Sequence, residues 1–153
     1  QRSESEMLQE IIPDEKALRN TIKLWFENSW LFQLIQHSLS QGKKILITSD
    51  HGNISVDNPV EIKADKNTTP GVRYKVGKDL HISKKYAFKM TNIKDYRLPK
   101  ILNRTDYIIA KHNNYFVYPN NFNKYAKQNK NTFQHGGLSM QEMIIPIITM
   151  KQR

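Results

Sequence analysis

The sequence predicts an α/β fold: a mostly parallel sheet flanked by helices, with a small antiparallel excursion. Three observations predict it. Leu18, Ile22, Trp25 and Phe26 recur at helical spacing, and Leu31, Leu34, Ile35 and Leu39 repeat the pattern. Ile45-Leu46-Ile47 is a short continuous apolar run, the pattern of a strand covered on both faces. Later segments alternate apolar and polar residues, as antiparallel strands do. Two parts follow: a helical segment over residues 1–43, and a sheet-containing part over 44–153.

Pro13, Asp14 and Glu15 read as a first helical turn, with acids at the positive end of the helix dipole. Ser29 is placed to cap a second helix, and Gly42 to stop it. Both aromatic-rich stripes are expected in the core. A helix, a glycine and the strand Ile45–Ile47 make half of a βαβ unit. "VEIKA" (60–64) and "VRYKV" (72–76) alternate around the turn signal Thr69-Pro70-Gly71, predicting two paired strands. Val72, Tyr74 and Val76 then face one way, and Arg73 and Lys75 the other. "DYIIA" (106–110) and "YFVYP" (115–119) flank His112-Asn113-Asn114, predicting a hairpin. A short helix is expected around Phe122 to Ala126. Ser139 followed by Glu142 matches a capping box, so a short helix starts there and ends before Pro146. Ile147 to Met150 reads as a last strand.

Composition sets limits. Lys and Arg number 24 against 14 Asp and Glu, a formal charge of +10. That excess fits anionic partners such as nucleotides or phosphate esters, or reflects a Lys- and Asn-rich composition with scattered lysines. With no cysteine, disulfides, thiolate metal sites and thiol nucleophiles are excluded, and the absence fits a cytoplasmic location. No apolar run approaches a membrane span. The start at Gln1, without the character of a protein's beginning, leads us to expect a piece of a longer protein.

The chemistry concentrates in "ITSDHGN" (47–53) and "FQHGG" (133–137). In open α/β sheets, ligands sit beyond the carboxyl ends of strands, where Asp50 and His51 fall. An ionised carboxylate at the edge of a core is costly unless a cation meets it. Carboxylate oxygen and imidazole nitrogen both suit zinc, and Gly52 permits unusual dihedrals that aim both side chains at one centre. The same residues also fit an Asx-type turn with an exposed His. His135, before Gly136-Gly137, is either a further ligand or part of a glycine loop. Three ligands are too few for a two-metal site. His37, His81 and His112 receive no ligand role. No nucleophile elbow, Walker loop or dinucleotide fingerprint is present. Arg73 is the best candidate for gripping a substrate phosphate with two oxygens, against the alternative of an ordinary ion pair with a surface acid.

Those motifs, with "SMQEMIIP" (139–146), resemble the PglZ domain of the alkaline phosphatase superfamily. "DEKALRNTIKLWFENS", "NTTPGVRYKVGKDL", "YFVYPNNFNKYAK" and "TFQHGGLSMQEMIIPI" extend the resemblance to the C-terminal third of PorX-type response regulators of the Bacteroidetes type IX secretion system. The resemblance implies an alkaline-phosphatase-like fold that hydrolyses phosphate mono- and diesters with two zinc ions. It implies that Asp50 and His51 bind the zinc nearest the nucleophile and His135 the other. The Thr nucleophile, the remaining ligands and a receiver domain are then expected upstream of Gln1, making the chain an incomplete, C-terminal portion inactive by itself. The implied partners are an oligonucleotide or other phosphodiester, a second copy in a homodimer, a sensor kinase and secretion components. A second function class is a non-catalytic module that keeps the fold to dimerise and bind partners. A nucleic-acid-binding domain, argued from charge alone, ranks third, because the aromatics sit at core spacing.

Overall fold

The computed structural model describes residue 12 and residues 14–64, 68–99 and 106–152. Helix α1 spans Glu15–Glu27, and its N-cap Asp14 accepts from the Ala17 N–H at 2.8 Å. Pro13, expected in the same turn, lies outside the described residues. Helix α2 spans Trp30–Ser40, capped by Ser29 accepting from the Phe32 N–H at 3.3 Å. Gly42 follows it with a φ of +71°. Both caps act within one turn of chain, so local sequence predicts them.

The strands are β1 (Ile45–Thr48), β2 (Ile54–Val56), β3 (Asn58–Glu61), β4 (Tyr74–Gly77) and β5 (Ala87–Met90). After a 3-10 turn over Ile93–Tyr96 come β6 (Asp106–Ala110), β7 (Asn114–Val117) and helix α3 (Phe122–Asn129). Strand β8 (Thr132–Gln134), helix α4 (Met140–Met143) and strand β9 (Ile147–Met150) close the described chain. Helices α3 and α4 and strand β9 fall where the sequence places them, and α4 carries the expected capping box.

The sheets differ from the expectation. Strand β1 pairs antiparallel with β9, β2 antiparallel with β8, and β4-β6-β5 form an antiparallel sheet. Among the described residues the parallel pairing is that of β3 with β7. The mostly parallel sheet expected from the sequence is therefore not what these residues form. Nor do "VEIKA" and "VRYKV" pair as a hairpin, since β3 joins β7 and β4 joins β6. Strands β6 and β7 likewise belong to different sheets, although His112 turns between them with a φ of +50°. Alternation reveals which side chains share a face, but the partner strand is chosen by non-local packing.

The core lies under the central strands. Ile62, Leu80, Ala87, Ile108, Ala110 and Phe116 form one buried cluster, and Val56, Tyr115 and Val117 another. Backbone bonds knit the sheets together: the Phe116 N–H donates to the Val72 carbonyl at 2.7 Å, and the Ala110 N–H to that of Arg73 at 2.8 Å.

The periphery is less covered than the sequence predicts. Helix α1 buries none of its residues, and α2 buries Ile35 alone. Trp30 is 71% exposed, and Leu46, read as part of a strand covered on both faces, is 65% exposed. Ile147 on the partner strand β9 is 73% exposed. The aromatic stripes and β1 thus present apolar faces that the described residues leave unpacked.

Candidate functional site

Antiparallel pairing of β2 with β8 sets Ile54 opposite Gln134. Continuing that ladder outward brings the chain before Ile54 beside the chain after Gln134. The two motifs, far apart in sequence, meet there. The rings of His51 and His135 stack with centroids 4.1 Å apart and planes 16° from parallel.

Asp50 stands at the end of β1 with its side chain 88% exposed. Its Oδ1 accepts from the His51 N–H at 3.0 Å, and its Oδ2 lies 3.7 Å from His51 Nε2. His51 Nδ1 is 2.9 Å from the Gly52 carbonyl, which has only lone pairs to offer. Nδ1 is thus the donor of that bond, and Nε2 is the ring nitrogen that faces Asp50 Oδ2. Asp50 and His51 bring a carboxylate oxygen and an imidazole nitrogen to one region. Oxygen and nitrogen ligands about 2.0–2.2 Å from a tetrahedral zinc stand about 3.4 Å apart. The donor set and the 3.7 Å separation fit that ion. Among the described residues no group of three His, Asp or Glu closes a metal site by itself.

Glu142 anchors both halves. Its backbone carbonyl accepts from the Gly52 N–H at 2.9 Å. Its carboxylate accepts from the Gly137 N–H at 2.7 Å and from the Ser139 hydroxyl at 2.6 Å. Gly52 adopts no positive φ, so the expected reason for a glycine there is replaced by another. A Cβ at Gly52 would stand 1.9 Å from the Gln141 carbonyl oxygen, and one at Gly137 2.1 Å from Arg73 Nη2. Only the absence of side chains lets α4 and Arg73 approach so closely.

Arg73 is corrected by the structure. Its side chain is 0% exposed. Nε and Nη2 donate to the two Glu142 oxygens at 2.9 and 2.5 Å, and Nη1 donates to the Asn114 carbonyl. A guanidinium so enclosed has no free edge for a substrate phosphate, and the surface ion pair offered as its alternative is not found either. Burial alone would raise the Glu142 pKa, but hydrogen bonds from Arg73, Ser139 and Gly137 hold it below the usual carboxylate range. Sequence reasoning missed this pair because its members lie 69 residues apart. It also missed Lys75, which is 2% exposed. His37 lies in α2, His81 is bridged to Lys63, and His112 sits in the turn after β6.

A family model for the BREX system PglZ alkaline phosphatase-like domain matches residues 1–150. No curated protein matches the chain.

Proposed function

We propose, from the premise that this chain belongs to the PglZ alkaline phosphatase-like family, that it supplies one side of a two-zinc centre hydrolysing phosphodiesters. Family membership makes it a phosphoesterase-type domain. The observation that carries the finer reading is the face-to-face stacking of His51 and His135 at 4.1 Å. Paired metals in two-metal phosphoesterases stand about 3.5–4 Å apart, so parallel rings at that spacing suit one imidazole on each ion. Asp50 and His51 would hold one zinc and His135 the other. Zinc bound there would supply Lewis acidity toward a phosphoryl oxygen.

This chain's residues hold and orient. The Gly52 carbonyl holds the His51 ring at Nδ1, and Glu142 ties the Gly52 and Gly137 backbones together. The two hydroxyls beside the strand end are engaged: Thr48 donates to the Pro146 carbonyl at 2.9 Å, and Ser49 to that of His51. In this reading, which follows the family resemblance, the nucleophile and the remaining ligands come from outside these residues. In our reading, which the long segments resembling PorX-type response regulators support, the domain is a cytoplasmic effector, controlled by a receiver domain, within type IX secretion. Among the described residues no helix is long and apolar enough to cross a membrane.

The test is zinc content and turnover of a chromogenic diester in the full protein, for His51→Ala and His135→Ala. Each substitution should lower both without unfolding the domain, since Ile45 and Ile47 stay half-buried beneath. Full occupancy with normal turnover in both variants would refute the centre.

A second reading has its own observation. Trp25, Trp30, Leu46 and Ile147 are each more than half exposed. Exposed apolar surface of this kind marks protein interfaces. A non-catalytic module that dimerises or binds partners predicts full self-association with zinc removed, and no diesterase activity in any preparation.

A further inference from the structure

A cavity lies apart from the stacked histidines and shares no residue with Asp50, His51 or His135. It measures about 760 Å³. That falls within the roughly 300–1,000 Å³ range of small-molecule sites. Lys75, Phe116, Tyr118 and Tyr125 line it, together with the amide side chains of Asn121 and Asn129. We propose that this cavity binds a small phosphorylated ligand carrying a flat ring, of the mononucleotide class, with Lys75 as its phosphate anchor.

The argument starts from the lysine. Lys75 is 2% exposed, yet its described partners are uncharged. Nζ donates to the Thr69 carbonyl at 2.9 Å and stands 4.7 Å from the centre of the Tyr118 ring. An ammonium has three N–H donors, and that carbonyl takes one. Among the described residues no carboxylate pairs with it. Burial pushes its pKa down to about 8, the expected response of a cation taken from water without a counter-charge. A buried cation that has a ring face and one carbonyl beside it but no counter-charge is stabilised by an anion that enters the cavity. Tyr125, 43% exposed, offers a stacking surface for a flat ring. The two amides offer both donors and acceptors, which suits a heterocycle better than a bare anion. This reading does not rest on the zinc centre.

The test titrates the protein with adenosine 5′-monophosphate, with inorganic phosphate and adenosine as separate arms. EDTA is present throughout, so metal at the histidine centre contributes nothing. The monophosphate should bind saturably and more tightly than either part. Lys75→Met should weaken it at least tenfold while phosphodiester turnover in the zinc-loaded protein persists. Equal affinity in Lys75→Met, or no saturation by the monophosphate, overturns the proposal. Should Lys75→Met fail to fold, Tyr125→Ala decides, since that side chain is 43% exposed. The monophosphate must then bind several-fold more weakly, and unchanged affinity overturns the proposal equally.

Discussion

Arg73 and Glu142 form a bidentate ion pair sealed from solvent, with side chains 0% and 2% exposed. One end of the pair reaches the Asn114 carbonyl on β7. The other holds the Gly137 and Ser139 N–H groups, at 2.7 and 3.1 Å. It therefore fixes the glycine loop after His135 against the sheet. Removing one partner strands the other as a buried charge, a loss of about 3–5 kcal/mol. Arg73→Met and Glu142→Leu should each destabilise on that scale by urea denaturation. The substrate-gripping role instead predicts a raised KM with unchanged stability.

The pair also sets a pH response. Glu142 has a folded pKa below its ordinary value. It thus contributes stability that is fully present above the unfolded pKa, about 4.3. That contribution is lost as pH falls through the depressed folded value. In Glu142→Gln the stability curve should be flatter below about pH 4.3 than in the parent protein. Parallel acid limbs in the two proteins would contradict the assignment.

Gly52 touches the same assembly from the other side. Its Cβ would overlap the Gln141 carbonyl, so Gly52→Ala must push α4 away from the strand end. Overpacking of this kind costs about 1–3 kcal/mol. Because Gly52 follows His51 directly, zinc content should fall with stability. A stable variant with unchanged metal content would separate the glycine from the site.

The parts legible in the sequence are those decided within one turn of chain. Ser29 and the Ser139–Glu142 box cap where expected, and Asp14, read as part of a first turn, caps that turn instead, because a cap and its N–H lie three residues apart. The Asp50-His51 and His135 motifs stand out in the sequence, but their meeting depends on β2–β8 register. Strand partners were misread for the same reason: Val60 finds Phe116 on β7, not a residue of β4. Alternation sets Arg73 and Lys75 on the face opposite Val72, Tyr74 and Val76 but does not say what covers that face. Both are buried here, one by a carboxylate 69 residues away and one beside a cavity.

Ser139 offers the finest test of how the Glu142 carboxylate is held. Its hydroxyl accepts from the Glu142 N–H at 3.2 Å and donates to Oε2 at 2.6 Å. Ser139→Ala removes the cap and one of the bonds that favour the ionised acid. The cap alone is worth about 0.5–2 kcal/mol. The loss should therefore be smaller than for Arg73→Met, because Arg73 still neutralises the charge. With one favouring bond gone, the Glu142 pKa should move upward toward its unfolded value, so less stability should be lost in acid and that loss should be complete at a higher pH than in the parent. Arg73 and Ser139 act on the same carboxylate, so their effects should not add. In the double variant, Ser139→Ala should shift the acid limb by a different amount than it does alone. Strict additivity across that cycle would mean the two residues do not share Glu142 in solution.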